Sequence, residues 1–371
     1  MSSGRVATEL VRPRGSGPWR GVRLTLAGAL LLASATAFAC AVCAPGVPLT
    51  VAQRMIDAEQ AVLAVPSATD PSAWEVLTTI KGDPAAGPPG ITGRVPPAAS
   101  AAPTLWVRDR LSRTWTAVGT VSASRAEWLR SLGGLQRTAQ MTPEAWRARV
   151  SAFLPLLEDP EPLVAQTAYG EIARAPYAAM RANRERLDPV RLSAWTQDAA
   201  LAARRPLYLL LLGLSGGPAD AGRIARELAV RRPSADPYDL AALIAADLEL
   251  RGASRLPAIE RAWLLDPARP PADVRAAIVA LSVHGEEGGA VSRAAVGDVF
   301  VRFAKRRRVH AGWVAQDLAS WQRWEATPVF AALADAPDLP IPSRVAMLGY
   351  LRESPHPEAR GALERALRAQ R

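Results

Sequence analysis

From residue 141 to the C-terminus, proline recurs one residue after aspartate or threonine: Thr142-Pro143, Asp159-Pro160, Asp188-Pro189, Asp236-Pro237, Asp266-Pro267 and Thr327-Pro328. An Asp or Thr oxygen accepts from the free amides of a helix's first turn, and proline fits the first helical position because its missing N–H had no partner there. Behind the first two pairs, apolar residues follow at spacings of three and four: Trp146, Val150, Phe153, Leu154 and Leu157, then Val164, Ala168 and Ile172. The pattern predicts short helices of about 10–16 residues, packed as antiparallel pairs. Residues 207–214 read Leu-Tyr-Leu-Leu-Leu-Leu-Gly-Leu. This run is apolar all round but too short to span a bilayer, so it is expected as a helix buried between neighbours.

The texture ahead of this body is different. A short helix is expected over 52–63, with Ile56 and Leu63 on one face. Residues 73–82 alternate and are rich in β-formers, so they predict a strand ending in a turn. Residues 83–103, crowded with Gly, Pro and Ala, predict a loop. Residues 104–107 and 114–118 predict two further strands, and 125–132 a helix. The expected organisation is therefore an N-terminal targeting segment (1–39), a small β-rich domain with a Pro/Gly-rich loop (40–135) and a helical domain (136–371), mainly α overall.

Residues 24–44 contain no charge, Arg20 and Arg23 stand before them, and Ala37-Phe38-Ala39 supplies small residues ahead of Cys40. A basic flank, an apolar core and a small-residue cleavage site make a secretion signal. Cleavage before Cys40, retention as a membrane anchor and lipidation of Cys40 are the three readings. Ala37 stands where a lipidation signal usually carries a large aliphatic residue. Each reading places the rest of the chain outside the cytoplasm: periplasmic, extracellular or membrane-anchored. Cys40 and Cys43 are the only cysteines, and in an oxidising compartment they are expected to form a disulfide. Ala44 follows Cys43 where covalent haem attachment needs His, and only three histidines exist to complete a zinc site. No cofactor is expected.

The formal charge of +10 does not indicate nucleic acid. Arg5, Arg12, Arg14, Arg20 and Arg23 against Glu9 put +4 of it in the first 39 residues. The remainder is spread without an aromatic-interleaved basic stripe. Only Lys81 and Lys305 are lysines, a bias that reads as GC-rich coding. What this charge supports is a preference for anionic partners, such as an anionic envelope component; a protein partner is expected from the helical array.

Cys40-Ala-Val-Cys43 behind a signal, a helix expected over 57–65 and Trp74-Glu-Val-Leu-Thr-Thr-Ile-Lys-Gly82 together resemble bacterial exported domains of the netrin/metalloproteinase-inhibitor type. The resemblance covers about residues 40–120 and implies a small OB-like barrel. In inhibitors of that kind the N-terminal cysteine's amine and carbonyl bind a protease zinc, the place Cys40 would take. The further cysteines that staple those domains are absent here. Leu212-Gly-Leu-Ser-Gly216, leading into an amphipathic helix, is similar to units of HEAT-like repeat proteins. The last four Asp-Pro pairs are 29, 48 and 30 residues apart, so an irregular HEAT-like solenoid is expected rather than a regular one. As a whole the chain resembles uncharacterised exported bacterial proteins with this two-part layout.

Three clusters are candidate sites. His284, Glu286 and Glu287 hold a metal-ligand or acid–base set. Against that, Val274, Ile278 and Leu281 share the apolar face of His284, and Gly285 reads as a helix end. Lys305 with Arg306, Arg307 and Arg308 could take a phosphate, a lipid headgroup or an acidic polymer, or be a solvated helix end. Trp313, Trp321 and Trp324 could stack on a sugar or pack the core. Asp198 with Arg204 and Arg205 reads as a charged helix terminus. No nucleophile-elbow, P-loop or zinc-protease motif occurs. The expected function is that of an exported, non-enzymatic interaction or scaffold protein. A metalloprotease inhibitor acting through Cys40 and a metal-dependent enzyme using His284 are the alternatives.

Overall fold

The computed structural model describes residues 49–67, 70, 73–83, 102–231, 236–287, 289–336 and 338–369. The chain divides into two units, Met1–Ala37 and Phe38–Arg371, and every described residue belongs to the second. The targeting segment, Cys40, Cys43 and most of the 83–103 loop lie outside the described residues.

Thr50 starts helix α1 (Val51–Asp57) with a capping box. Its hydroxyl accepts from the Gln53 amide at 3.1 Å, and its own amide donates to the Gln53 side chain at 3.2 Å. After two turns the chain runs directly into strand β1 (Ala58–Pro66). This corrects the helix expected over 52–63 and the one expected over 57–65. Strand β1 is flanked by β2 (Trp74–Lys81) and β3 (Thr104–Asp109), and β4 (Trp115–Thr120) completes an antiparallel sheet of order β2-β1-β3-β4. A strand buried on both faces carries a continuous apolar run, here Ala61-Val62-Leu63-Ala64, instead of an alternation. Ladder bonds along both edges override the helix preference of its Ala, Glu and Gln residues.

Ala61, Leu63, Ile80, Leu105 and Val107 face the main core, which also takes in residues of α1 and α2 (Ala126–Gly133). Val62, Ala64, Trp74 and Trp106 form a smaller cluster, with the two indoles edge to face at 5.0 Å. Lys81, one of the two lysines, donates to the Met55 and Ile56 carbonyls at 2.6 and 3.2 Å. It thereby satisfies the open end of α1.

The helical body follows as α3 (Pro143–Phe153), α4 (Pro162–Ala173), α5 (Tyr177–Arg181), α6 (Pro189–Trp195), α7 (Arg205–Ser215), α8 (Pro218–Val230) and α9 (Pro237–Arg251). It continues with α10 (Leu256–Ile259), a π-helical turn (Glu260–Leu265), α11 (Pro271–Glu287), α12 (Arg293–Arg306) and a 3-10 stretch (Arg308–Val314). Helices α13 (Ala315–Ser320), α14 (Thr327–Leu333), α15 (Ile341–Glu353) and α16 (Pro357–Ala369) complete it. The fold is thus mainly helical, with one small antiparallel sheet. Among the described residues no helix is long and apolar enough to cross a membrane.

Three of the proline pairs act as read. Thr142, Asp188 and Asp236 accept from the amides of the helices that begin at the following proline. Asp159 and Asp266 instead form turns, accepting from Glu161 and Ala268, and their helices begin later at Pro162 and Pro271. Thr327 lies inside α14, buried against Tyr350 and Ser354. The Leu run of 207–212 is fully enclosed in α7, which packs on α9, and α9 packs in turn on α8 and α11.

The change from sheet to helices near residue 135 is no break in packing. One hydrophobic core runs from Val51 to Ala366. Arg125, just before α2, grips Asp159 at 2.8 Å and Glu161 at 2.7 Å ahead of α4.

Candidate functional site

Helix α11 does not end at Gly285; it continues to Glu287. Gly285 is there for packing, since a Cβ at this position would lie 2.6 Å from Cζ2 of Trp321. The same turn carries His284 inward to 0% exposure. Its Nε2 lies 3.0 Å from the Ala245 carbonyl, an acceptor, so the proton sits on Nε2. The bare Nδ1 faces the Glu249 carboxylate of α9 at 3.6 Å. That carboxylate also takes Arg181 at 2.9 Å, the Tyr177 hydroxyl at 3.2 Å and the Ala290 amide at 3.2 Å. Tyr177 stands edge to face with the imidazole at 5.8 Å.

The carboxylate brought to His284 is therefore that of Glu249, distant in sequence. Glu286 and Glu287 follow on the last turn of α11, where Arg293 binds the Gly285 and Glu286 carbonyls at 2.7 Å each. Among the described residues no group of three or more His, Cys, Asp or Glu side chains is arranged to hold a metal ion.

Burial pushes the His284 pKa below 6.5; the Ala245 bond and Glu249 oppose the shift, and Arg181 adds to it. Above pH 6.5 this costs nothing, because His284 is neutral in both folded and unfolded chains. As pH falls below 6.5 the unfolded chain binds a proton that the folded one refuses, and stability drops. His310, also depressed, acts in the same sense, while half-buried Asp317, raised to about 6 by desolvation, acts in the opposite one. His284→Gln isolates the imidazole and keeps a donor for Ala245. Between pH 7 and 5.5 wild type should lose about 1 kcal/mol relative to this variant, measured by urea unfolding. A gap constant with pH would show that His284 titrates as it does in solvent.

The basic run sits at the end of α12, as its pattern predicts, with Val296, Val299, Phe300 and Phe303 buried beneath it. Lys305, Arg306 and Arg308 are exposed, and Arg307 donates to the Asp266 carbonyl at 3.1 Å. Of the tryptophans, Trp321 stacks on Phe300 at 5.7 Å and Trp324 lies 5.1 Å from Tyr350, both as packing. Trp313 is half-buried under Arg275, whose guanidinium carbon lies 4.4 Å from the ring centre. No single helix carries all three, because the chain passes from 3-10 to α and back to 3-10 between them.

The polar networks inside the body escape a linear reading. Arg205 opens α7 and reaches Asp239 of α9 at 2.5 and 2.6 Å and Glu227 of α8 with two bonds of 2.8 Å. Arg231 adds a bond of 2.7 Å to Asp239. Asp198 does cap a short helical turn, through the Ala200 amide. Arg204, however, binds Glu158 at 2.6 Å, and the Tyr208 hydroxyl donates to the same carboxylate. Arg149 binds Glu171 at 3.3 Å, and Glu171 also accepts from the Thr50 hydroxyl. The signal available was the arginine content itself.

Fold and site together define a mainly helical protein with a small antiparallel sheet, its helices pinned by internal arginine–carboxylate pairs. No protein-family model, curated protein or solved structure matches the chain.

Proposed function

We propose that the chain is an exported, non-catalytic interaction protein that binds an anionic component of the cell envelope through the basic face at the end of α12. One observation carries this reading: the division of its polar chemistry. Arg149–Glu171, Arg205–Asp239 and Arg181–Glu249–His284 are satisfied inside the fold. Lys305, Arg306 and Arg308 stand in solvent, paired with no carboxylate among the described residues. A general base must reach a substrate proton, whereas His284 is enclosed and its Nε2 is bonded to a carbonyl. The uncharged stretch 24–44 behind Arg20 and Arg23 supports export.

We read the helices as an irregular HEAT-like solenoid, on the strength of α7 packing on α9, α9 on α11 and α11 on α12. We read the sheet as an incomplete OB-like front, on its antiparallel order with β1 between β2 and β3.

Purified protein should sediment with bacterial envelope fragments at low ionic strength and be released by about 0.5 M salt. Arg306→Ser with Arg308→Ser should reduce the sedimented fraction several-fold. Sedimentation indifferent to both salt and substitution would overturn the reading.

A further inference from the structure

Three segments bring cations to one place. Arg275 comes from α11 and lies over Trp313 at 4.4 Å, while His310 meets the same indole edge to face at 4.1 Å. Arg307, which follows α12, is held by its bond to the Asp266 carbonyl. The His310 amide donates to the Arg307 carbonyl at 2.8 Å, and His310 shares the Trp313 ring with Arg275. Lys305, Arg306 and Arg308, adjoining Arg307 in the chain, are exposed to solvent.

Three other arginines in this part of the fold have carboxylate partners. Arg302 binds Glu260 at 2.8 Å, Arg323 binds Asp298 at 2.6 Å, and Arg269 lies 3.7 Å from Asp266. Arg275, Lys305, Arg306, Arg307 and Arg308 have no carboxylate partner among the described residues. The negative end of a helix dipole favours cations here, but it acts over one turn and does not account for Arg275, which lies on another helix.

We infer that Arg275, Arg307, His310 and Trp313 form a binding site for a phosphate group, with Lys305, Arg306 and Arg308 supplying the field around it. Two guanidiniums from different segments suit a phosphate better than a carboxylate, because phosphate offers three acceptor oxygens and more charge. Trp313 fixes Arg275 from beneath and leaves its edge donors free. Val309, exposed between Arg308 and His310, favours a phosphate carried at a lipid surface, where an apolar side chain amid cations enters the headgroup layer. The site deepens the proposed function and rests on it.

His310 is the reporter. Burial first, then Arg307 and Arg275, hold its pKa below 6.5. A phosphate seated between the guanidiniums cancels their field and raises it. The chain has three histidines, so the imidazole signals can be followed by NMR, with exposed His356 as control. The His310 midpoint is measured with inorganic phosphate, with phosphatidylglycerol vesicles and with sodium chloride at matched ionic strength. Phosphate or vesicles should raise it by about half a pH unit or more, saturably, and Arg275→Gln with Arg307→Gln should abolish the rise.

A response to both ligands supports the site with a headgroup as source; a response to inorganic phosphate alone supports it with free phosphate as source. A shift no larger than that in chloride, or one that survives the double substitution, overturns it. So does a larger shift with a short oligonucleotide than with either ligand. Envelope binding that persists while His310 ignores phosphate removes this site and leaves the wider proposal standing.

Discussion

Replacing Arg149 by alanine will lower the free energy of unfolding by about 3–5 kcal/mol. Arg149 and Glu171 are 3% and 1% exposed in their side chains, so their ion pair is cut off from solvent. Removing the guanidinium leaves a carboxylate in the core with the Thr50 hydroxyl as its hydrogen-bond donor and the Arg174 guanidinium as the charge still acting with it. It also removes the bond of 2.6 Å that Arg149 donates to the Gln136 carbonyl. An uncompensated buried charge is far costlier than the pair was worth. Arg149→Met combined with Glu171→Gln should therefore recover most of the loss, because no charge remains buried and Thr50 keeps its acceptor. Urea unfolding of the three proteins checks this. A loss below about 1 kcal/mol for Arg149→Ala, the size of a solvent-exposed pair, would show that water reaches Glu171.

The second large effect is steric. A Cβ on Gly312 would overlap the Ser343 carbonyl oxygen and come within 2.7 Å of its carbonyl carbon. These are backbone atoms of α15, held there because the Ser343 hydroxyl donates to Val309 O and accepts from the Gly312 amide. Neither segment can give way without losing those bonds, so Gly312→Ala should cost about 3 kcal/mol. The same change at Gly349, inside α15 with open space around it, should instead stabilise by up to about 1 kcal/mol through helix propensity. Opposite signs in thermal unfolding are the expected result. Equal shifts at the two positions would mean that α15 does not sit on the 308–314 stretch in solution.

What could be read from the sequence was local. Asp188 and Asp236 cap helices because the capping oxygen and the amides it serves are two or three residues apart. Strand β2 ends at Lys81 and the glycine after it, as the alternation predicts. Strand β1 was illegible for the complementary reason. Nothing within Ala58–Pro66 signals that β2 and β3 will pair along both of its edges. The site divides in the same way. The cations of 305–308 are contiguous and were seen, while Arg275, thirty residues earlier, joins them only through the packing of α11 on α12. His284 was recognised as lying on an apolar face, but its carboxylate neighbour comes from α9. The arginine bias, read as a coding habit, also has structural uses. The Arg302 fork closes on Glu260 with paired bonds of 2.8 Å, and Arg205 divides two nitrogens between Asp239 and Glu227, arrangements that a single ammonium could not match.

Helix α9 is enclosed from Asp239 to Leu248. It is gripped by Arg205 of α7, and its Ala245 carbonyl accepts a hydrogen bond from His284 of α11. In a helical body, unfolding that starts at a frayed end can run inward. Here it meets a helix fastened on both sides, and going further means releasing both fastenings. Proteolytic trimming of either end would leave this middle helix standing. The survival time of the chain is then set by how rarely its centre opens, not by how often its termini do.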